Sequence, residues 1–344
     1  MIVTHNHRDA VVRALPPLAG QLREGDELVV VDNDSRDGTV QAVREAASGA
    51  TVIEAGSNLG FGAGCNRGAE AATGELLVFL NPDAVPAPGF REAIERPLAD
   101  GRGWAAWQAL VTAEAGTVIN SRGGVVHFTG IAWAGGAGTP LAFDGDPVPL
   151  PEPGFVSGAC LAIPRATFEE VGGFAEEFFL YHEDVDLSLR LRLTGGRLGV
   201  EPAAIVEHDY EFAKGASKWR QLERNRWATL IRTYPGALLA LLVPALLATE
   251  LALVPISIAG GWFRQKLGAW GDVLRSLPRL RRERHATQAM RRTGAAQFAA
   301  ALSPDLDSAY LSGAGRSRIL RAALRAYWSL VVALVGGSRS ASAG

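Results

Sequence analysis

Short apolar runs recur through the first hundred residues, and segments of helical length separate them. Glu27–Asp32 (ELVVVD) and Glu75–Leu80 (ELLVFL) are continuous apolar runs, a pattern typical of strands that are buried on both faces. Arg8–Leu22 and residues 39–47 place their apolar side chains at helical spacing. This alternation predicts β-α-β units, and therefore an α/β fold in which helices cover both faces of a mostly parallel sheet.

The pattern beyond residue 100 is less regular. Residues 103–153 are glycine-rich and show no clear strand or helix periodicity. Residues 155–164 predict a strand, and residues 183–194 predict a helix that two glycines end. Residues 198–210 predict a strand, a turn and a second strand. The sequence therefore assigns no element to the segment between its two regular parts.

Composition excludes several classes of protein. Hydrophobic residues make up 48% and charged residues 20% of the 344 residues, which excludes a disordered chain. Cys65 and Cys160 are the only cysteines, too few for a disulfide scaffold or a cysteine-rich zinc site. The strand-like run after Met1 lacks the basic and apolar segments of a secretory signal, so we expect no signal peptide.

The net charge of −2 conceals two regions of opposite charge. The segment from Arg264 onward carries 14 basic and 4 acidic residues, whereas the chain up to Phe263 carries 20 basic and 32 acidic residues. Such an asymmetry predicts two parts with different partners.

Polar side chains follow three of the predicted strands at the point where each strand ends. Because ligands of an open parallel sheet bind beyond the carboxyl ends of its strands, these side chains predict a nucleotide site with a hard cation. We favour a functional role for Asp32 and Asp83, which end apolar runs directly, and a turn-capping role for Asp34 and Asp37. The three strand ends are Thr4-His5-Asn6, Asp32-Asn33-Asp34 and Asn81-Pro82-Asp83.

Two other nucleotide-binding motifs do not match. The glycine cluster after the third predicted strand fails the G-x-G-x-x-G pattern, because Arg67 occupies the third glycine position counted from Gly62. The chain has no G-x-x-x-x-G-K-S/T sequence, which argues against a P-loop nucleotidase. We expect these glycines to permit close helix-to-sheet packing or the approach of a ligand to the backbone.

Several of these segments together resemble a family 2 inverting glycosyltransferase of the GT-A, Rossmann-like fold, and in particular its bacterial rhamnosyltransferase-like members. The resemblance covers residues 1–232 and does not extend to the C-terminal third. The motifs that carry it are VTHN, VVVDNDSRDGT, NLGFGAGCNRG, LVFLNPD, VSGACLAIPR, GGFAEEFFLYHEDVDLSLRL and EHDY.

The resemblance implies a role for each matched residue. Asn81 stands where the family has the first acid of its Asp-x-Asp metal motif, which leaves Asp83 to hold Mg²⁺ or Mn²⁺ on the diphosphate. His208 matches a histidine that completes the metal site in some members, and Asp184 matches the catalytic base, with Glu183 as a neighbour that tunes its pKa or binds the acceptor. The implied donor-binding residues are Thr4, Asn6, Asp32, Asn58, Asn66, Arg67 and Asn81.

The residues themselves support part of this assignment and leave part of it open. On the predicted helix Asp184 and Ser188 share a face, whereas Asp186 and Arg190 form an i, i+4 pair that predicts a structural ion pair. A lone histidine such as His208 is equally well explained as a hydrogen-bonded side chain. Ser157, Gly158 and Ala159 also have two equally good interpretations. Their small side chains fit either a loop on the acceptor side of the site or a packed strand.

The C-terminal third has the composition of a membrane-associated region. Thr233–Thr249 and Leu251–Phe263 are free of charge on either side of Glu250. Because these 31 residues are too few for two full spans, and because both flanks are basic, we expect an interfacial or re-entrant helical pair, followed by arginine-rich helices on anionic headgroups. A helical subdomain or a homodimer interface is the alternative. The sequence has no nucleic-acid-binding module.

The resemblance implies a metal-dependent, inverting enzyme that moves a sugar from a nucleotide-diphosphate donor, dTDP-rhamnose or a UDP-sugar, to a lipid-linked glycan in cell-wall, O-antigen or exopolysaccharide synthesis. We expect it to act at the cytoplasmic face of the membrane. The alternatives are a catalytically silent sugar-nucleotide or polysaccharide binder and a nucleotidyltransferase. We expect a catalytic domain over residues 1–232, a helical membrane-associating region over 233–335 and a disordered tail over 336–344.

Overall fold

The computed structural model describes residues 1–141, 150–208, 215–307 and 317–337. The chain divides into two compact units. The first unit comprises Met1–Gly124, Ala134–Leu191 and Gly196–Tyr210, and the second comprises Val125–Trp133, Arg192–Gly195 and Glu211–Gly344. The tail residues 338–344, for which we predict disorder, lie outside the described residues, as do Asp209 and Tyr210 of the EHDY motif.

A mixed sheet with helices on both faces forms the first unit. The strands of the chain are β1 (Ile2–Thr4), β2 (Val29–Asp32), β3 (Thr51–Glu54), β4 (Leu76–Leu80), β5 (Val85–Pro86), β6 (Trp104–Ala113), β7 (Val118–Ser121), β8 (Gly124–Val126), β9 (Ala132–Ala134), β10 (Cys160–Pro164) and β11 (Arg197–Glu207). The helices up to residue 193 are α1 (Arg8–Ala19), α2 (Thr39–Ala46), α3 (Phe61–Ala71), α4 (Phe90–Ala99), α5 (Arg165–Glu170) and α6 (Glu183–Leu193).

The N-terminal half of the sheet has the predicted parallel β-α-β arrangement. Strands β3, β2, β1 and β4 are neighbours in that order and pair in parallel. Alternate residues of each strand serve opposite faces: Ile2 and Val30 pack into one apolar cluster, and Val3 and Val31 pack into the other. This division confirms the predicted α/β fold with helices on both faces.

Beyond β4 the strand directions are more mixed than predicted. Strand β10 lies antiparallel between β4 and β6, and β11 pairs in parallel with β6. Strand β6 falls within residues 103–153, where the sequence predicts no element. Strand β11 is one strand rather than the predicted strand, turn and strand, because a register shift between Glu201 and Ile205 absorbs Pro202 without ending the pairing.

The second unit is mostly helical. Its helices are α7 (Ser217–Thr233), α8 (Gly236–Ala259), α9 (Phe263–Ala289), α10 (Ala295–Ala299) and α11 (Arg318–Gly337). The expected helical pair over residues 233–263 is wrong: α8 continues through Pro244, Glu250 and Pro255. Helix α8 can continue through Glu250 because that carboxylate accepts hydrogen bonds from neighbouring helices. By length and composition, α8 and α11 could each cross a membrane.

Candidate active site

The ends of β1 and β2 hold a buried hydroxyl and a buried carboxylate in contact. The Thr4 hydroxyl donates to Asp32 Oδ1 at 2.9 Å, and the Ser35 amide donates to Asp32 Oδ2 at 2.9 Å. Both oxygens of Asp32 are therefore oriented by the fold before a ligand binds. The structure brings Thr4 and Asp32 together, as the parallel pairing of their strands requires.

Asn6 and Asp37 organise the turns beside this pair. Asn6 Oδ1 accepts from the Arg36 amide at 2.8 Å, which ties the end of β1 to the loop after β2. Asp37 accepts from the backbone amides of Thr39 and Arg8, both at 3.0 Å. The predicted capping role of Asp37 is confirmed.

The remaining predicted donor residues of the glycine-rich segment lie on or near α3. Asn58 Oδ1 accepts from the Gly60 amide at 3.0 Å. Asn66 Oδ1 accepts from the Phe174 backbone amide at 2.9 Å, and Asn66 Nδ2 donates to Phe174 O at 3.0 Å. The Arg67 side chain is exposed. No hydrogen bond within the described residues joins these three side chains to Thr4 or Asp32.

The neighbouring Asn33, one of the polar residues at the predicted strand ends, makes that link. Asn33 is buried, its backbone amide donates to Thr4 O at 2.8 Å, and its side chain donates to Gly60 O at 3.0 Å. Its position directly after Asp32 at a strand end was the available signal.

The glycines of α3 permit close packing on the sheet, one of the two predicted roles. A Cβ on Gly64 would lie 2.7 Å from Val3 Cγ1, and a Cβ on Gly68 would lie 3.3 Å from a methyl carbon of Val31. Only helices with small residues at such positions approach a sheet this closely.

Asp83, Asn81 and His208 converge at the end of β4. His208 Nε2 lies 3.1 Å from Asp83 Oδ1 and 3.4 Å from Asn81 Nδ2. Burial raises the pKa of Asp83, but the hydrogen bond and charge of His208 outweigh burial and hold that pKa below its usual value. The structure thus brings together the two predicted metal ligands and the asparagine.

This donor set fits a divalent cation that takes its other ligands from a substrate. Within the described residues no group of three or more histidine, cysteine or acidic side chains could hold a metal by itself. Mg²⁺ is commonly held by one or two carboxylates together with substrate phosphates and water. One carboxylate and one imidazole at the same place therefore suit a cation that arrives with a diphosphate.

Two neighbouring acids occupy the start of α6. The Gly158 amide donates to Asp184 Oδ2 at 3.0 Å, and the Val185 amide donates to Asp184 Oδ1 at 2.8 Å. Glu183 is 6% exposed, and its Oε2 is buried without a hydrogen-bond partner in the described part of the chain. Burial, followed by the charge of Asp184, raises the pKa of Glu183 to about 8, and burial also raises the pKa of Asp184.

The segment Ser157–Ala159 joins this acid pair to the end of β4. Gly158 binds Asp184, and Ala159 O accepts a hydrogen bond from the backbone amide of Asn81 at 3.0 Å. The Ser157 amide donates to Gln108 Oε1 at 2.8 Å, and the Val156 amide donates to Ser188 Oγ at 3.1 Å. These contacts make the segment a loop held between the two sets of candidate residues.

The sequence predicts no role for Gln108, and it indicates Ser188 only through the helical face that Ser188 shares with Asp184. Gln108 is buried on β6, in the segment without predicted elements, so no local signal pointed to it. Ser188 lies one turn after Asp184, and this shared face was the available signal.

The loop that enters α6 has an unusual backbone. Phe179, Tyr181 and His182 all have positive φ values, of 61°, 70° and 68°, a conformation that costs energy for residues with side chains and that clusters at functional sites. Gly60, with φ of 85°, packs directly against Phe179, and a Cβ there would lie 2.4 Å from Phe179 O. The backbone before the acid pair is therefore held in place by a glycine of another segment.

The predicted ion pair of α6 is present. Arg190 Nε donates to Asp186 Oδ2 at 2.7 Å, and the same guanidinium donates to Val171 O and Gly173 O. Asp186 and Arg190 are both buried. The structural role predicted for Asp186 is thereby confirmed.

Comparison with known proteins agrees with this arrangement. The chain is 29% identical over 250 residues to the N-acetylglucosaminyl-diphospho-decaprenol L-rhamnosyltransferase of Mycobacterium tuberculosis (strain ATCC 25618 / H37Rv), which covers 67% of this chain and 81% of that protein.

Two solved structures share the fold. S. aureus TarS 1–349 in complex with UDP has a TM-score of 0.54 at 16% identity, covering 99% of this chain and 90% of that one. The mannosyltransferase PcManGT from Pyrobaculum calidifontis, in complex with GDP-Man and Mn²⁺, has a TM-score of 0.51 at 20% identity, covering 84% and 83%.

The family model for glycosyl transferase family 2 matches residues 1–172, which is half of the chain. The matched segment contains Asp32, Asp83 and the loop Ser157–Ala159. The family expected from the sequence motifs is confirmed. The chain belongs to glycosyl transferase family 2 and is a glycosyltransferase of the GT-A fold.

Proposed function

We propose that the chain transfers a sugar, with inversion at the anomeric carbon, from a nucleotide-diphosphate donor to a lipid-linked glycan. The observation that carries this proposal is the connection between two candidate centres: the loop Ser157–Ala159 bonds to Asp184 on one side and to Asn81 on the other. A leaving-group site and a base are the two parts that inverting transfer requires.

Asp184 is the proposed catalytic base. Its carboxylate takes the proton of the acceptor hydroxyl, whose oxygen forms the new bond to the anomeric carbon while the bond from that carbon to the diphosphate oxygen breaks. The two backbone amides that bind Asp184 fix the direction of its lone pairs. The raised pKa of Asp184 makes it a better proton acceptor than an exposed aspartate.

Asp83 and His208 are the residues that would hold Mg²⁺ or Mn²⁺, and the side-chain amide of Asn81 lies beside them. When bound, such an ion supplies positive charge to the departing diphosphate. The proposed contacts to the nucleotide come from Thr4, Asn6, Asp32, Asn58, Asn66 and Arg67, and Asn33 joins this set through its bonds to Thr4 and Gly60.

The donor and acceptor are inferred from the relatives. The mycobacterial relative is named as a rhamnosyltransferase acting on a diphospho-decaprenol carrier, which supports a rhamnose donor such as dTDP-rhamnose and a lipid-linked acceptor for this chain. A UDP-sugar is the second candidate, because the TarS neighbour was solved with UDP. A lipid-linked acceptor, the basic C-terminal third and the apolar helices α8 and α11 support a site of action at the cytoplasmic face of a membrane.

The test is a comparison of binding and turnover in Asp184→Asn. We expect transfer to fall by roughly 10²- to 10⁴-fold, while dTDP-rhamnose or a UDP-sugar with Mn²⁺ still raises the melting temperature. The matched control is Asp9→Asn, an exposed acid in the first turn of α1, which should leave turnover unchanged.

Three outcomes contradict the proposal. Turnover that survives Asp184→Asn in a folded protein shows that another group is the base. Donor binding without transfer to any polyprenyl-diphosphate-linked sugar by the unaltered chain indicates a silent binder. Formation of a nucleotide-sugar bond with release of pyrophosphate indicates a nucleotidyltransferase.

A further inference from the structure

Helix α8 is apolar on its exposed side as well as on its packed side, where Leu238, Leu242 and Leu246 are buried. Glu250 is directed toward neighbouring helices, and Ser257 is fully buried. The exposed side carries large apolar residues that are between 47% and 75% exposed: Val243, Leu247, Leu251, Ile256 and Ile258. The exposed side of a helix in water is normally polar.

The neighbouring helix α11 also exposes apolar side chains. The Tyr327 hydroxyl donates to Leu241 O, which fixes α11 beside α8. Ile319, Leu330 and Leu334 on α11 are also exposed. Within the described residues, every exposed large apolar side chain outside α8, α9 and α11 belongs to the first unit, where they are Val12 and Leu98. Concentrations of this kind mark interaction surfaces.

Glu250 is bound on the packed side of α8 by both neighbouring helices. Its carboxylate accepts from Trp227 Nε1 at 3.1 Å, from Trp270 Nε1 at 2.8 Å and from Lys266 Nζ at 2.8 Å, and it also pairs with Arg226. Lys266 in turn binds Glu223 at 2.6 Å. Glu250, Lys266, Arg226 and Glu223 thus form one charge network, which links α7, α8 and α9.

This network argues against α8 crossing a bilayer. Glu250 lies near the middle of α8, so a spanning α8 would draw Arg226, Lys266 and Glu223 toward the hydrocarbon core or lose its contacts with them. Either change is costly, because each charged side chain at the core costs on the order of 2 to 3 kcal/mol on insertion scales. Lying in the plane of the interface keeps the network intact and places only the apolar side of α8 in lipid.

The charge of this part of the chain identifies the surface that it faces. The segment from Arg264 onward has 14 basic and 4 acidic residues, and exposed arginines recur along α9, at Arg264, Arg275, Arg281 and Arg282. Arginine attracts anionic headgroups at the edge of an apolar surface. We propose that the exposed apolar side of α8, together with that of α11, docks in the plane of an anionic bilayer without crossing it.

The proposal deepens the membrane location given under the proposed function and rests on it, but not on the transfer reaction. Its first test is flotation of the full chain with vesicles of equal parts phosphatidylglycerol and phosphatidylcholine, without donor or acceptor. The variant Leu247→Asp/Leu251→Asp should reduce binding by at least about tenfold. The matched control Val12→Asp/Leu98→Asp, which changes the exposed apolar residues of the first unit, should bind as the unaltered chain does.

The variants must be shown to fold, by far-ultraviolet circular dichroism and by an unchanged unfolding transition in urea. The milder Leu251→Ser, at a residue that is 75% exposed, should weaken vesicle binding in the same direction. Unchanged binding of both Leu variants overturns the proposal. So does a variant that loses self-association in solution while it keeps vesicle binding, because the apolar side would then be covered by a second copy of the chain.

The second test distinguishes docking from crossing. Gly236→Cys places an exposed thiol at the start of α8, and Arg264→Cys places one just beyond its end, in the first turn of α9, while Cys65 and Cys160 are buried. After the protein is added to sealed vesicles, in-plane docking predicts that an impermeant maleimide labels both positions from outside. Protection of either position until the vesicles are lysed shows a crossing helix and overturns the proposal. Neither test depends on catalysis, so a failed transferase assay leaves them interpretable.

Discussion

At the scale of single residues, Gly60 is a position where a side chain would meet both an unfavourable φ and neighbouring backbone atoms. It has a left-handed backbone, and an added Cβ would lie 2.4 Å from Phe179 O and 2.7 Å from Phe179 Cα. These are backbone atoms of the strained loop before Asp184, so no side chain can move aside.

We therefore expect Gly60→Ala to lower the free energy of unfolding by about 3 kcal/mol, from the φ penalty of about 1 kcal/mol and a larger steric term. Transfer activity should fall as well, because the loop before α6 is displaced. Gly56→Ala is the control, since Gly56 has φ of 73° with nothing within 4 Å of its Cβ position. Urea unfolding and turnover measure both effects, and equal losses in the two variants would rule out the steric contact.

Glu183 gives a prediction about pH. Its pKa is raised from 4.5 to about 8 by burial and by Asp184, so between these values the folded chain holds a proton that the unfolded chain has released. Stability from this group is therefore present below pH 4.5 and is lost as the pH rises toward 8. Glu183→Gln removes that dependence.

The expected result is that Glu183→Gln is more stable than the unaltered chain at pH 8.5, by about 1 kcal/mol or more, and that the difference shrinks toward pH 5. Urea unfolding at the two values measures it, with Glu70→Gln, at an exposed position of α3, as the control. A difference of the same size at both values would show that Glu183 does not titrate differently in the folded state.

The sequence indicates the acids of the candidate site more readily than the residues that support them. Asp32 and Asp83 were predicted because each ends an apolar run, and Asp184 was predicted from the resemblance to the family. Gln108 could not be predicted, because its bond to Ser157 joins residues 49 positions apart. A local pattern carries no information about such a contact.

At the scale of elements, the loop Ser157–Ala159 is positioned by two buried side chains on different elements. Gln108 on β6 accepts from the Ser157 amide, and Ser188 on α6 accepts from the Val156 amide. Removing either acceptor leaves a buried amide unsatisfied, which costs about 1 to 3 kcal/mol.

We expect Ser188→Ala and Gln108→Leu to lower kcat roughly tenfold while the affinity for the nucleotide-sugar changes little, because the loop bonds Asp184 directly. The control is Thr112→Val, which removes a buried hydrogen bond of the same strand to Val206 O at 3.3 Å, away from the loop. Steady-state kinetics with a binding titration separates the two quantities. A purely structural role predicts the same small loss in all three variants.

The elements themselves were predictable where burial on both faces leaves a short apolar run in the sequence. Strands β1, β2 and β4 are read from short apolar runs because both of their faces are buried. The antiparallel direction of β10 beside β4 could not be predicted, since Cys160 pairs with Leu80, 80 positions earlier in the chain. The direction of a strand after so long a connection is set by the path of the chain and not by its residues.

At the scale of the whole molecule, the two units should lose structure in separate steps, because each has its own core. The second unit depends on Lys266, which is fully buried and binds Glu223 at 2.6 Å and Glu250 at 2.8 Å. Lys266→Met keeps the length of the side chain but leaves two buried carboxylates to share Arg226. Breaking a buried ion pair on one side costs about 3 to 5 kcal/mol.

Lys266→Met should therefore lower the melting temperature of the second unit by several degrees. The melting temperature of the first unit, which nucleotide-sugar binding raises, should stay unchanged. The double variant Lys266→Met/Glu250→Gln should recover part of the loss, since it also removes a carboxylate. Arg275→Ala is the control, because Arg275 pairs with Asp272 at an exposed position and such pairs contribute at most about 1 kcal/mol. Differential scanning calorimetry with and without donor resolves the transitions, and a loss shared equally by both would mean that the charge network stabilises the chain as a single cooperative unit.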